Sequence, residues 1–491
     1  MRFGRGAAVL GCAAGLFVAA CGSPPSTGGG DGGRQANPKP EGKAMPTCPV
    51  KALDKVTGPV TVDVWYGGLG GSPEGVLKDM AKRFNASQDK VKVEVNKQGA
   101  SYQEVLRKYE GASATPKQLP QIVYLEDRAL GELVDKGQVM PAEACMKADG
   151  YDVKQIDPVA RTSFSVDGVL YPGYMNVSTP VIYYNKIHFK EAGLDPEAPP
   201  KTFADIERIA KVLKQKGVSE EPLSFKSDSW FFTTWLSGMG VESVNNDNGR
   251  SAPPTKATFD TPEARKILTE LQKMRKEGLV ATYPVTEGSI DHYLALVQEK
   301  SSMLVETSTA SSTIRDFLGG KLDAEAVGLG FSKAQIDKAT RLVPGAGMLP
   351  GPEQAGQVYA SGGAFYMLNT SSDAEQAGAW AFLKFMLEPE NAIRWHTQAG
   401  YLPVVKEAQS SPEVENFWKT DVAGVMLKNA VEQLEDADPD RPGPLMGPYT
   451  AFTERMDAML YDVMGPNPKD PAKALSSAQS DVDEILKKYN D

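Results

Sequence analysis

Aromatic side chains beside small polar residues are the groups in this sequence whose types and positions suit ligand binding. Flat apolar faces that contact C–H groups, next to polar groups that contact hydroxyls, suit a small polar organic molecule in a cleft. Taken alone, each of these aromatic residues is more readily explained as part of the hydrophobic core. They lie in or beside predicted turns and element ends, at Trp65, Tyr66, Tyr102, Tyr183, Tyr184, Trp230, Trp235, Tyr401 and Tyr449.

Three common catalytic motifs are absent from the sequence. The sequence has no G-x-S-x-G turn, no H-E-x-x-H pair and no Walker loop. His188, His292 and His396 lie far apart, without the spacing of zinc ligands. We therefore expect no catalytic residue, no metal and no cofactor. The 63 Asp and Glu residues leave accidental carboxylate pairs open, so a secreted hydrolase is one alternative.

The first residues indicate where the protein is located. Arg2 and Arg5 precede an apolar stretch, residues 7–20, that is too short to span a bilayer and ends in small residues. This is the layout of a secretory signal peptide, predicted at 1–20. Val18-Ala19-Ala20-Cys21 resembles the bacterial lipobox, in which cleavage leaves a lipid-modified cysteine as the new N-terminus. An ordinary signal peptide with a chance cysteine is the alternative.

Residues 21–47 are predicted to form a lipidated, flexible tether. Residues 23–43 are nearly all Ser, Pro, Gly, Thr, Asp, Asn and Lys, with almost no large apolar residue to bury. We expect an extracytoplasmic body that is held at the bacterial membrane through lipid alone. The remaining cysteines, Cys48 and Cys145, would lie in an oxidising compartment and are predicted to form a disulfide. Two buried free thiols are the alternative.

Net charge argues against nucleic acid as a partner. The chain of 491 residues carries a formal charge of −10, which becomes −12 once Arg2 and Arg5 are removed. Phosphate backbones are bound by clustered Lys and Arg, which an acidic chain does not favour. The length beyond the tether is enough for two or three domains.

Strand and helix patterns must position the aromatic residues. Residues 60–66, 91–95 and 121–125 follow strand patterns, and residues 73–85 and 102–109 between them follow helical ones. This order implies a parallel sheet covered by helices, and therefore an α/β body. The glycine-rich turn after the first strand lacks the G-x-G-x-x-G spacing and predicts a turn whose amides face a cleft. Further strands are expected at 170–186, 302–306 and 360–368, with helices at 189–193, 203–215, 228–239, 262–277, 290–299, 373–387, 389–399 and within 410–490.

Four segments resemble the extracellular solute-binding proteins of ABC importers, in the carbohydrate-uptake class. They are STPVIYYNK at 178–186, the segment at 189–203, SGGA at 361–364 and HTQAGYLP at 396–403. More narrowly, they resemble the branch that binds glycerol-3-phosphate and glycerophosphodiesters. The resemblance implies a two-lobe, periplasmic-binding-protein-like (type II) α/β fold with a ligand cleft between the lobes. A surface adhesin-type lipoprotein is the second alternative to this interpretation.

The resemblance also implies how the lobes divide the chain and how they work. Lobe 1 would comprise residues 48–175 and 364–402, and lobe 2 residues 176–363 and 403–491. Glycines near the crossings would absorb the backbone rotation of a hinge. The implied function is capture of a sugar or polyol-phosphate by hinge closure, followed by delivery to an ABC permease, by a protein that acts as a monomer.

Position by position, the resemblance assigns the ligand-binding residues. Hydroxyl-binding side chains would come from both lobes, glycine amides from the hinge, and tryptophans would cover the ligand. These residues are Tyr102, Glu126, Ser178, Trp230, Trp235, Ser308, Gly362, Gly363, Tyr401 and Arg441.

One position departs from the family pattern. The phosphate-binding arginine of the family aligns with Leu445, and Arg441 a few residues earlier is the candidate replacement. Burying a phosphate without a cationic partner is costly. A neutral sugar is therefore the expected ligand if Arg441 does not reach the cleft.

Overall fold

The structure, a computed structural model, describes residues 45–286, 291–319 and 342–491. The predicted signal peptide, the lipidation site Cys21 and nearly all of the tether lie outside the described residues. Among the residues described, no helix combines the length and the apolar character needed to cross a membrane. The same residues hold no cluster of three or more His, Cys, Asp or Glu side chains placed to bind a metal.

Strands and helices alternate along most of the described chain. The strands are β1 (Val60–Tyr66), β2 (Val91–Lys97), β3 (Ile122–Glu126), β4 (Val139–Met140), β5 (Ser165–Val166), β6 (Val169–Leu170), β7 (Tyr174–Ser178), β8 (Pro180–Asn185), β9 (Leu223–Lys226), β10 (Val280–Tyr283), β11 (Met303–Thr307), β12 (Pro344–Met348) and β13 (Ser361–Leu368). The α-helices of six or more residues in the described part of the chain are α1 (Ser72–Ser87), α2 (Tyr102–Ser113), α3 (Leu130–Asp135), α4 (Ala142–Asp149), α5 (Pro158–Ser163), α6 (Lys186–Glu191), α7 (Phe203–Gln215), α8 (Ser229–Gly238), α9 (Pro262–Lys276), α10 (Asp291–Val297), α11 (Ala310–Leu318), α12 (Asp373–Met386), α13 (Pro389–Arg394), α14 (Pro412–Thr420), α15 (Val422–Glu435), α16 (Tyr449–Met464) and α17 (Pro471–Asn490).

Two mixed sheets organise these elements. The first sheet has the order β2-β1-β3-β13-β4, with β7 also paired to β13. In it β1 is parallel to β2 and β3, as the strand–helix–strand pattern predicts, whereas β13 runs antiparallel to its neighbours. The second sheet has the order β10-β9-β11-β8-β12. Here β9 is parallel to β10 and β11, and β8 is antiparallel to β11 and β12.

The chain crosses between the sheets at short, buried connections. Only Thr179 separates β7 of the first sheet from β8 of the second. The chain returns at Ser361, which pairs with Ser178 in the first sheet. The resemblance implies lobe boundaries at residues 176 and 364, which fall inside β7 and β13. Backbone pairing between these two strands includes residues 176–178 and 361–363, so those residues belong to the first sheet.

A disulfide between Cys48 and Cys145 is present, which confirms the predicted pairing. It joins the segment before β1 to α4, and the two cysteines are 97 positions apart along the chain. Both cysteines are buried. The bridge therefore ties the start of the folded body to the helical cover of the first sheet.

A candidate ligand-binding cleft between the two sheets

A cavity of about 960 Å³ lies between the two sheets. One wall comes from the turn after β1, the start of α2 and the carboxyl end of β3. The opposite wall comes from the carboxyl ends of β9 and β10 and from one face of α16. Both walls thus present the carboxyl ends of parallel strands, where open α/β sheets bind their ligands.

A cluster of phenols lies on the first-sheet wall. The hydroxyls of Tyr102 and Tyr124 are 3.1 Å apart, and Asn176 donates its amide N–H to the Tyr124 hydroxyl at 2.7 Å. Tyr401 interacts with all three side chains through its own hydroxyl. Burial raises the pKa of each of these phenols, so they stay protonated and can both donate and accept hydrogen bonds.

Glycines allow this cluster to pack. Gly68 has a φ of +70°, and a side chain there would meet the Tyr102 ring. Gly362 has a φ of +137°, and a Cβ atom on it would overlap the carbonyl oxygen of Asn176. A Cβ atom on Gly363 would overlap the Tyr124 hydroxyl. Gly362 and Gly363 therefore lie directly against Asn176 and Tyr124 and leave room for them.

Four charged side chains, Glu126, Arg128, Lys226 and Asp228, line the cavity and are called the charged floor below. Arg128 Nη2 lies 3.6 Å from Asp228 Oδ1, and Arg128 Nε lies 3.9 Å from Glu126 Oε2. Lys226 Nζ lies 3.3 Å from Asp228 Oδ2 and 3.9 Å from Glu306 Oε2. The Arg128–Asp228 pair joins the end of β3 to the end of β9, so it bridges the two sheets.

Mutual attraction favours the ionised forms of Lys226 and Asp228 despite their burial, whereas burial raises the pKa of Glu126. Burial alone would lower the pKa of Lys226, but Glu306 and Asp228 raise it above its ordinary value. Burial likewise opposes ionisation of Asp228, but Lys226 and Arg128 hold its pKa below the ordinary range. Asp457 behaves differently, because burial and the neighbouring charge of Asp228 raise its pKa to about 6.

The N-terminus of α8 lies beside the charged floor, and two of its backbone N–H groups already donate hydrogen bonds to carboxylates. Asp228 accepts a hydrogen bond from the backbone N–H of Trp230 at 2.9 Å. Asp457 accepts from the backbone N–H of Ser229 at 2.7 Å. A helix N-terminus attracts anions, and here two carboxylates of the chain itself occupy that place.

Two of the residues that the resemblance assigns line the cavity, and a third contacts one of them. Tyr102 and Glu126 line the cavity, and Tyr401 joins the phenol cluster. Ser178 and Ser308 are buried at the crossing, where the Ser308 hydroxyl accepts from the backbone N–H of Thr179 at 3.3 Å. Trp230 follows the charged floor directly as the second residue of α8 and is 9% exposed.

Two assigned residues, Trp235 and Arg441, are not among the residues that line this cavity. Trp235 donates its indole N–H to the carbonyl of Pro350 and packs against Phe203, because it lies about 140° around α8 from Trp230. Arg441 donates to the Gly238 carbonyl at 3.0 Å and pairs with a neighbouring aspartate. Arg441 lines a separate cavity of about 290 Å³ and is absent from the lining of the cleft.

Sequence reasoning missed most of the charged floor. Arg128, Lys226 and Asp228 lie at or just beyond the ends of buried strands. Charged residues in that position were a usable signal, because the carboxyl ends of neighbouring parallel strands meet at one edge of a sheet. Tyr124 gave no such signal, since it lies inside an apolar strand and resembles an ordinary core residue.

A cleft between two α/β lobes that face each other with their strand ends defines the class of protein, a two-lobe binding protein of type II fold. Residues 79–423 match the family of bacterial extracellular solute-binding proteins, and this chain belongs to that family. The predicted fold and the resemblance stated from the sequence are both confirmed.

Relatives and solved structures agree with this assignment. The sn-glycerol-3-phosphate-binding periplasmic protein UgpB of Escherichia coli K12 is 26% identical over 449 residues, which cover 87% of this chain and 93% of that protein. UgpB of Mycobacterium tuberculosis, solved with glycerophosphocholine, has a TM-score of 0.70 and 19% identity, covering 88% of this chain and all of the other. The cyclic alpha-maltosyl-1,6-maltose binding protein of Arthrobacter globiformis has a TM-score of 0.68 and 20% identity, with the same coverage.

Proposed function

We propose that this chain is the lipid-anchored substrate-binding protein of an ABC importer, and that it captures a neutral carbohydrate by hinge closure. The observation that carries the proposal is the charged floor, in which side chains from both sheets meet inside the cavity. A ligand that contacts both walls stabilises the closed arrangement by those additional contacts. The permease would then receive ligand from the closed protein.

The chemistry of the cleft suits hydroxyl groups. Glu126 and Asp228 can accept hydrogen bonds from hydroxyls, and Arg128 can donate to them. Such charge-assisted hydrogen bonds are stronger than neutral ones and are directional. Tyr102 and the phenols behind it add groups that both donate and accept. Vicinal hydroxyls of a sugar present donors and acceptors in this mixed pattern.

The charge balance favours a neutral ligand over a phosphate. Arg128 and Lys226 are the cationic side chains that line the cavity within the described residues, and each already lies near two carboxylates. Four carboxylates line the same cavity, on Glu126, Asp228, Glu454 and Asp457. A phosphate placed there would meet like charges and would have to displace an existing pair.

The position that bears arginine in the family points the same way. By the resemblance, Leu445 aligns with that position, and its side chain is 6% exposed. Arg441, the candidate replacement, lines a different cavity. A neutral sugar was the expected ligand if Arg441 did not reach the cleft. The position of Arg441 therefore supports a neutral sugar.

Tethering fits the same function. Lipid on Cys21 and the flexible segment at 21–47 would keep the body beside a membrane permease without embedding it. The protein would act as a monomer and would release its ligand chemically unchanged. Mass spectrometry of the mature N-terminus should show a lipid-modified Cys21, and a Cys21→Ala variant should be released from membranes. An unmodified residue 21 in the mature protein would refute the anchor.

Calorimetry on the mature body tests the ligand class. Glucose, maltose, maltotriose, trehalose and lactose are compared with glycerol-3-phosphate and glycerophosphocholine. We expect binding of a saccharide and none of either phosphate ester. Binding of a phosphate ester with no saccharide would refute the carbohydrate proposal.

Two arginine variants form a matched pair for the site. Arg128→Met should weaken saccharide affinity about 10- to 100-fold, because hydrogen bonds to a charged group contribute about 1.5–3 kcal/mol. Arg441→Ala should leave that affinity within about twofold, since Arg441 lies outside the cleft. The opposite ranking of the two variants would contradict the placement of the site.

A further inference from the structure

One face of α16 forms a continuous strip of the cavity wall. Its cavity-lining residues are three or four positions apart or directly adjacent, as on a single helix face: Thr450, Thr453, Glu454, Asp457, Ala458 and Tyr461. The strip changes character along its length. It is polar from Thr450 to Asp457 and apolar at Ala458 and Tyr461. The strip spans about 16 Å of helix from its first to its last residue.

Apolar residues from α2 and from the segment after β10 line the same cavity as the apolar end of the strip. Leu106, Pro284, Val285, Ala458 and Tyr461 all line the cavity and are called the apolar shelf below. Tyr461 is 49% exposed and Val285 is 45% exposed. Large apolar side chains that stay this open inside a cleft indicate a surface that a ligand covers.

The shelf adjoins the charged floor. Tyr461 lies one helical turn, about 6 Å, from Asp457, which interacts with Asp228 of the floor. A ligand bound at the floor can therefore extend onto the shelf without leaving the cavity. The cavity of about 960 Å³ lies near the top of the range of about 300–1,000 Å³ for small-molecule sites, so one pyranose on the floor would leave the shelf uncovered.

We propose that the apolar shelf is a second sugar subsite and that the ligand is an oligosaccharide of at least two pyranose units. This inference rests on the proposed function. The first unit binds through its hydroxyls at the charged floor, and the next unit packs its C–H face against the Tyr461 ring. Aromatic rings suit this contact, because they offer a large flat apolar surface and lose little conformational entropy on binding.

Calorimetry with saccharides of increasing length tests the second subsite. Glucose is compared with maltose, maltotriose and trehalose, and galactose with lactose. We expect at least one di- or trisaccharide to bind ten or more times more tightly than its own monosaccharides. Tyr461→Ala should bind the di- or trisaccharide about 3- to 10-fold more weakly than the wild type does, and its affinity for monosaccharides should stay within about twofold of the wild-type value. Tyr461→Phe, which keeps the ring, should behave as the wild type.

Tyr489→Ala is the matched control, because Tyr489 is an exposed tyrosine that does not line the cavity. Its saccharide affinity should equal that of the wild type. The second subsite is refuted if monosaccharides bind as tightly as their oligomers, or if Tyr461→Ala binds the oligomers unchanged. Absence of binding by every saccharide would refute both this inference and the proposed function, whereas tight monosaccharide binding would refute the subsite alone.

Discussion

Replacing Asp228 by Asn tests whether the ion pairs of the charged floor stabilise the contact between the two sheets at the cleft. Asp228 lies between Arg128 at 3.6 Å and Lys226 at 3.3 Å, and its side chain is 13% exposed. At an effective dielectric constant of about 20, each contact corresponds to about 5 kcal/mol of attraction before desolvation is subtracted. Breaking a buried pair by removing one partner typically costs about 3–5 kcal/mol.

The expected magnitude lies at the lower end of that range. Arg128 keeps Glu126 at 3.9 Å and Lys226 keeps Glu306 at 3.9 Å, so neither cation is left without a partner. Asn also retains the oxygen that caps α8, and Asn is a good N-cap residue. We therefore expect Asp228→Asn to lower the free energy of unfolding by about 3 kcal/mol at pH 7.

The pH dependence gives an independent check. The pKa of Asp228 lies below its ordinary value in the folded state, so its stabilisation is present above about pH 4 and is lost as pH falls further. The difference between wild type and Asp228→Asn should therefore be largest near neutral pH and shrink in acid. Urea denaturation followed by tryptophan fluorescence measures it.

An exposed aspartate provides the control. Asp438 pairs with Arg441 at 3.1 Å, but the two side chains are 48% and 43% exposed. Asp438→Asn should change stability by less than about 1 kcal/mol. Equal effects of the two variants, or a loss of less than about 1 kcal/mol in Asp228→Asn, would refute the reasoning about the floor. So would a difference that grows as pH falls.

Two further predictions concern the supports of the cleft. Replacing both Cys48 and Cys145 by Ala should lower the free energy of unfolding by about 4.7 kcal/mol, because the disulfide closes a loop with a sequence separation of 97 and so restricts the unfolded chain. Urea denaturation measures this change, and an unchanged free energy of unfolding would contradict it. His396 donates its Nδ1–H to the Tyr401 carbonyl at 2.7 Å and accepts at Nε2 from the Trp418 indole N–H at 2.8 Å. Burial lowers the pKa of His396 to about 4, so the ring is neutral at pH 7. His396→Phe should cost about 1–3 kcal/mol for each group left unpaired and weaken ligand binding through Tyr401. Because the pKa is lowered, the wild type should lose stability as pH falls from about 6.5 towards 4, a slope that the variant should lack in thermal unfolding.

Several elements follow from local patterns and were predictable. Helix α7 begins and ends at the predicted residues, because Thr202 caps it and its buried residues recur at helical spacing. Strand β1 also has its predicted bounds. The stretch at 170–186 was predicted as one strand-like segment, but the structure divides it among β6, β7 and β8. Strand β7 belongs to the first sheet and β8 to the second, and the chain passes from one sheet to the other at Thr179. Apolar periodicity alone does not reveal such a change of sheet.

Site residues were predictable where they follow a family motif and less so elsewhere. Tyr102 and Glu126 were assigned from the resemblance and line the cavity. Trp235 was assigned with them but faces the core, because the direction of a side chain depends on how its helix packs. Arg441 carries the right charge near the right segment, yet its local turn directs it to the Gly238 carbonyl.

By itself, the sequence determined the α/β class, the family and the positions of many helices and strands, and it predicted the disulfide pairing. These properties depend on short-range patterns of burial, capping and turn residues, or on motifs that are contiguous in the chain. Only the tertiary structure decided which charges meet in the cleft. Arg128 and Asp228 are 100 positions apart, and they become partners because the ends of β3 and β9 face each other across the crossing at Thr179. That arrangement, on which the proposal of a neutral ligand rests, depends on the order and packing of two sheets, which no local pattern encodes.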